Sequence, residues 1–317
     1  MLLAAAMLAL AAVSLAGLVV DDRTVLGVST WLKPLKFAVS FLVYAVTMAW
    51  MISLLTRARR LAWWAGAVVA VFGGLEVALI ATQSARGRRS HFNNTTPLDE
   101  RIFNAMGMTI GVFYAATLVI VVLLLIQRLG DAPTTWALRL GLIISMIGMA
   151  LGLLMLMPTA QQLADGSGDI VGAHAVGVSD GGPGLPVTGW STEGGDLRIP
   201  HFVGLHALQA LPLLAFTLAA LSHRLPRLRD AGVRLRLVLV AAAGYAGVVA
   251  LVTWQALRAQ PLLAPDAATL VAVGLLAAVT AVAGVLALRA GSRDADREVR
   301  ADPTLNATPA AQPIRIG

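Results

Sequence analysis

Eight stretches of this 317-residue chain, roughly 2–20, 37–56, 62–83, 104–126, 136–158, 202–222, 235–257 and 267–289, are each dominated by Leu, Ala, Val and Gly over some twenty residues. As an α-helix, a run of about 20 residues crosses a hydrocarbon layer ~30 Å thick. Lipid offers the backbone no water, so its N–H and C=O groups must pair within the segment, which a helix achieves. The expected fold is therefore all-α, a polytopic bundle of about eight transmembrane helices. Composition agrees, with 58% hydrophobic and 13% charged residues, well to the apolar side of soluble domains. The first run has no Lys or Arg ahead of its apolar core and ends Ala16-Gly17-Leu18-Val19-Val20. It is read as a retained helix; as a cleaved signal peptide it would leave seven.

The net charge of +7 comes mainly from arginines in short loops between the apolar runs, where they set topology and call for no nucleic-acid partner. Counting Lys and Arg in alternate loops gives 15 in the set containing Arg57, Arg128, Arg224 and Arg289, and 9 in the set containing Arg23, Lys33, Arg86 and Arg198. The richer set is assigned to the cytoplasm, with both termini. The Ala, Leu, Val, Arg and Gly bias suggests a high-GC bacterium, hence a bacterial cytoplasmic membrane. No cysteine is present, which excludes disulfides, thiolate metal sites and a cysteine nucleophile. Residues 1–290 are read as the bundle, and 291–317, with Ser, Asp, Pro, Asn and Thr, as a disordered cytoplasmic tail.

Polar residues out of keeping with lipid gather on the outer side of this topology. Residues 31–37 carry Lys33 and Lys36 into the second run, and 83–93 carry Arg86 and His91 out of the third. The connection 159–201 is long for a structureless spacer, a length more usual for a lid or a site. Its glycines and prolines, as in Asp180-Gly181-Gly182-Pro183-Gly184-Leu185-Pro186, call for defined turns anchored by Trp190. No phosphate-binding Gly-x-x-x-x-Gly-Lys, dinucleotide Gly-x-Gly-x-x-Gly, His-Glu-x-x-His or Gly-x-Ser-x-Gly motif occurs.

Four of the five histidines, His91, His174, His201 and His206, fall on or near this outer side. Imidazole is a ligand for zinc, copper, iron and haem, and they are the candidate metal ligands, with Asp99, Asp180 or Asp196 to complete a zinc site or orient a ring. His201 and His206, five apart, lie about 140° apart around a helix, so such a site must be assembled from several segments. Glu76 is the one acid inside a predicted span, a placement that makes it a functional candidate and a partner for Lys36 in an expected ion pair. Asp99, Asp196 and Glu76 are the candidate catalytic acids. Lys36, Arg86, Arg198 and Gln209 are the candidate substrate contacts, the arginines suiting a carboxylate or phosphate.

The motifs at 31–37 (Trp-x-Lys-Pro-x-Lys-Phe), 86–93 (Arg-Gly-x-x-Ser-His-Phe-Asn), 180–186 and 195–209 (Gly-Asp-Leu-Arg-x-x-His-Phe-x-Gly-Leu-His-Ala-Leu-Gln) resemble a family of uncharacterised bacterial multi-pass integral membrane proteins. The resemblance covers about residues 30–215 and carries no assigned reaction. The arrangement is also similar to that of the alkaline ceramidase and adiponectin-receptor group, which joins an early Ser/His/Asp set to a late histidine pair; that group spaces its late pair four apart, whereas His201 and His206 are five apart, and here Ser90 directly abuts His91. That likeness implies a zinc-dependent hydrolase acting on a lipid.

Three functions follow as expectations. The first is a metal-dependent, membrane-embedded hydrolase or lipid-modifying enzyme, zinc being the expected metal and a lipid or small amphipathic molecule the substrate. The second is a redox protein with haem b between His91 and His206 or between His174 and His201. The third is an ion- or proton-coupled transporter using Glu76 and Lys36. The topology itself is testable: cysteines introduced at Ser179 and Ser222 should react with membrane-impermeant maleimide from opposite sides, and labelling of both from one side refutes the orientation.

Overall fold

Capping residues extend the helices beyond their lipid-soluble cores. In the computed structural model, which describes residues 1–166 and 168–301, the chain runs α1 (Leu2–Val20), α2 (Leu32–Ser53), α3 (Arg59–Ala85), α4 (Pro97–Leu125), α5 (Ala132–Leu151), the short α6 (Ala160–Ala164), α7 (Arg198–Leu221), α8 (Ala231–Leu257) and α9 (Ala267–Ala301). Eight of these are long and apolar enough to cross a membrane, the last over Ala267–Ala290. The protein is an all-α, multi-pass bundle.

Hydropathy alone places several starts too late, because the first turns are polar. Thr96 caps α4 by accepting from the Asp99 amide, with Pro97 in the first turn, so α4 begins seven residues ahead of its apolar run. Asp131 and Asp230 cap α5 and α8 in the same way. The consequence for the site is that α2 already includes Lys33 and Lys36, and α7 opens at Arg198 with His201 in its first turns. Residues 302–317, most of the expected disordered tail, lie outside the described residues.

Close packing is built from small residues. Where α5 crosses α7, a Cβ added to Gly148 would stand 2.4 Å from the carbonyl carbon of Gly204, so the backbones touch. A second core joins α2, α4 and α5 through Met51, Leu55, Ile120, Leu124, Leu138 and Leu142. Faces turned away from both cores expose Trp63, Trp64, Leu275 and Val279, as surfaces against lipid should.

The loops collect at two ends. At one, Gln127 accepts from the backbone of Thr56 and Arg57, and Arg234 reaches Asp131. At the other, the β1–β2 hairpin (Thr24–Val25, Val28–Ser29) sits under Gly181, Arg23 donates to the Ala85 carbonyl, and Gly195 packs on Ala256. The long connection lies across this second end as a strap with the expected defined turns. Thr159 and Gln162 form a capping box on α6, β3 (Ala175–Val176) pairs with β4 (Gly195–Asp196), and single bridges tie Gly184 to Ser191 and Ile170 to Asn93.

The glycine crossing yields a stability prediction. Gly148→Leu should lower the thermal midpoint in detergent markedly, because overpacking a tight contact costs ~1–3 kcal/mol or more. Gly107→Ala, at a helical position with open space around the new Cβ, should leave the midpoint unchanged or raise it. Equal midpoints for Gly148→Leu and the parent chain would refute the crossing.

Candidate functional site

Where the strap meets the bundle, α2, α3, α7, the turn after α3 and the strap itself bring together one lysine, two carboxylic acids and three imidazoles. Lys33 Nζ lies 3.1 Å from His91 Nδ1, and Ser90 Oγ lies 3.0 Å from the same nitrogen. An ammonium group only donates, so Nδ1 accepts and the ring proton resides on Nε2. That nitrogen faces Glu76 Oε1 at 3.8 Å. Glu76 is 3% exposed, and its other oxygen accepts from Thr109 Oγ1 at 2.7 Å. His91 thus stands between a cation and an acid.

His174 and His201 are each fixed through Nδ1. Asp180 accepts from His174 Nδ1 at 2.8 Å and from the backbone amides of His174 and Ala175. His201 Nδ1 donates to the Gly148 carbonyl at 2.8 Å. That carbonyl is free because α5 tightens into a 3-10 turn, Gly152–Leu156, whose first amide bonds Ala150 and Met149 instead. A carboxylate and a carbonyl can only accept, so both rings carry hydrogen on Nδ1 and keep a lone pair on Nε2. Phe92 stands edge-on to His91 and His174, with centroids 5.9 and 4.9 Å away.

Electrostatics treat these groups as one site. Burial holds His91 well below its ordinary value of 6.5, and Lys33, His174 and His201 add to the effect. Burial also lowers His174, against the opposing pull of Asp180, and Lys33 lowers it further. Asp180 is pushed up by burial, but the hydrogen bonds from His174 and the two amides prevail and hold it well below the carboxylate range. At neutral pH, His91 and His174 are uncharged.

The other sequence candidates fall into three separate groups. Asp196, 1% exposed, is gripped by Arg198 and the Ser191 amide, while Arg198 also donates to the Gly189 carbonyl. This pair locks the strap onto the start of α7. Asp99 is fully buried and accepts from Gln83, Arg86, Thr95 and Thr96, fastening the end of α3 to the start of α4. His206 lies against Phe202 and Gln209, and Gln209 reaches Thr47 of α2. The four candidate ligand histidines are therefore divided, His91, His174 and His201 where the strap meets the bundle and His206 in its own contact between α7 and α2.

One expectation is corrected outright, because Lys36 and Glu76 do not pair. Lys36 Nζ donates to the Thr188 carbonyl of the strap at 3.0 Å, and His91 stands between Glu76 and Lys33. A neutral ring there spares the bundle a direct buried ion pair, whose desolvation is costly. Among the described residues no three His, Asp or Glu side chains are placed to hold a single metal ion. Sequence reasoning gave Lys33 no role of its own, touched Ser90 only through a resemblance and missed the Gly148 carbonyl. The six-residue offset from His174 to Asp180 was a local signal that one turn could join them; the carbonyl had none.

No protein-family model matches the chain, and no curated protein or solved structure matches it.

The charge states predict how the strap responds to pH. Histidines held below their ordinary value in the closed form bind protons more readily when the strap opens. The strap should therefore be most stable above about 6.5 and lose stability as pH falls toward the closed-form values. Hydrogen exchange in 170–197 should accelerate between pH 7.5 and 5, and Asp180→Asn should accelerate it even at pH 7.5. Exchange in this segment with no change beyond the intrinsic pH dependence refutes the assignment.

Proposed function

We propose that the protein is a membrane-embedded enzyme performing acid–base hydrolysis or group transfer on an anionic amphipathic substrate at the outer face of a bacterial cytoplasmic membrane. One observation carries this reading: the Asp180–His174 dyad fixes an imidazole with its Nε2 lone pair free, among Lys33, His91 and His201. A carboxylate on Nδ1–H sets the tautomer and orientation of a general base. Water would give a proton to His174 Nε2 as its oxygen bonds to the electrophilic carbon or phosphorus. The bond to the leaving oxygen breaks, and that oxygen takes a proton from the Lys33 ammonium or from the imidazolium just formed. Lys33 and Lys36 have no carboxylate in ion-pair contact among the described residues, and they supply the positive charge that binds the anionic group. Glu76, behind His91, holds that ring in place.

A zinc-assisted form of the same reaction draws support from one feature. His174 and His201 have Nδ1 tied to a carboxylate and a carbonyl, as ligand imidazoles commonly do. The three rings do not share one coordination shell, so the mechanism above is written without an ion. Haem ligation and ion-coupled transport are weaker readings, since His206 is engaged with Phe202 and Gln209 and Lys36 is held by the strap.

Purified protein assayed with p-nitrophenyl esters and p-nitrophenyl phosphate in micelles tests the reading. Turnover should rise with pH through the His174 titration and fall by about 10²-fold or more in His174→Gln, the usual worth of a general base. Glu193→Gln, on the exposed strap surface, should change nothing. Turnover equal in the parent and His174→Gln sinks the proposal. Stoichiometric zinc lost in His201→Ala establishes the zinc-assisted form, and a Soret band lost in His206→Ala establishes the haem reading instead.

A further inference from the structure

A second feature lies on the far side of Phe92 from the histidines. Helices α4 and α5 are neighbours in sequence, yet each packs mainly elsewhere, α4 on α3 and α5 on α7, and a furrow is left along their seam. Its deeper part is a groove of about 440 Å³ walled by Tyr114, Leu118, Val121 and Leu125 of α4 and by Ile143, Ile147 and Leu151 of α5. No charged residue lines it. Its shallower part is a chamber of about 360 Å³ bounded by Asn94, Glu100, Phe103, Asn104, Leu156 and Val171.

The two parts lie on one helix face. Glu100, Asn104, Gly107, Gly111, Tyr114 and Leu118 follow one another at alternating spacings of four and three, the stripe of a single helix side. Gly107 and Gly111 join chamber to groove, and a Cβ on either would meet nothing within 4 Å. No side chain on that face of α4 stands between the chamber, polar at the end where the strap lies, and the groove, which no charged residue lines. That gradient matches a lipid molecule lying along the bilayer normal.

We infer that this furrow binds one phospholipid, its acyl chain between α4 and α5 and its headgroup in the chamber. The groove is walled by aliphatic and aromatic side chains with no charge among them, which suits a hydrocarbon chain. The headgroup chemistry follows from the chamber: the Glu100 carboxylate has no ion-pair partner among the described residues, and Asn104 beside it offers an amide oxygen. Both suit a primary ammonium, which donates hydrogen bonds and carries positive charge. This site stands on the seam alone and is independent of the acid–base reading.

The test uses full-length protein in vesicles containing phosphatidylethanolamine with a diazirine on its acyl chain. Photolabelling should concentrate on 114–125 and 143–154 and disappear in Gly111→Leu and in Ile147→Trp, both of which fill open space. Unlabelled phosphatidylethanolamine should compete about tenfold better than phosphatidylcholine, whose trimethylated nitrogen cannot donate; that ratio is the worth of a hydrogen bond to a charged group. The preference should vanish in Glu100→Gln/Asn104→Leu while labelling of the groove persists. Labelling spread evenly over α1 and α9, labelling unchanged in both filling variants, or crosslinks joining α4 of two copies overturns the site. Equal competition by the two lipids overturns the headgroup assignment.

Discussion

The arrangement depends on one neutral imidazole. His91 accepts from Lys33 and turns its Nε2–H toward Glu76, so a cation from α2 and an acid from α3 share a low-dielectric interior without direct contact. Bare burial of either group is costly, and a direct ion pair recovers that cost only with excellent geometry. With the ring between them, both groups keep a partner, and the turn after α3 is tied to the bundle. Phe92 follows His91 at a positive φ of 62°, a backbone strain that cheaper local conformations would avoid. The strain places Phe92 edge-on to His174, and through that contact the turn meets the strap.

Around this centre, the remaining polar residues act as fasteners. Asp196 with Arg198 pins the strap to α7, Asp99 with Arg86 and Gln83 closes the α3–α4 turn, and Lys36 holds the strap through the Thr188 carbonyl. Each carboxylate in these groups has its acceptor capacity used by neighbouring donors. Asp180 is also saturated, but one of its donors is an imidazole whose opposite nitrogen stays free. That difference separates a dyad able to move protons from corners that hold the chain.

Much of the fold was legible because lipid imposes a simple rule. Backbone in hydrocarbon must be helical, and eight apolar runs therefore meant eight helices. Their polar first turns escaped that rule. Thr96-Pro97 is a start signal readable in sequence, yet it lies outside the apolar run and hydropathy passes over it. The site was half legible. His91, His174, His201 and Glu76 stood out as ionisable groups near apolar segments, whereas the Lys36–Glu76 pairing failed because the sequence does not reveal which residue will occupy the space between two helices. The Gly148 carbonyl was beyond reach, since its freedom arises only when α5 tightens at its end.

The central claim is that Lys33, His91 and His174, from three separate segments, form one electrostatic unit. Histidine NMR titration of the parent protein and Lys33→Met, with rings assigned by single His→Gln variants, measures this directly. Because Lys33 lowers both imidazoles, its removal should raise the pKa of His91 and of His174 together. If both titrate unchanged in Lys33→Met, the unit does not exist and the site falls with it.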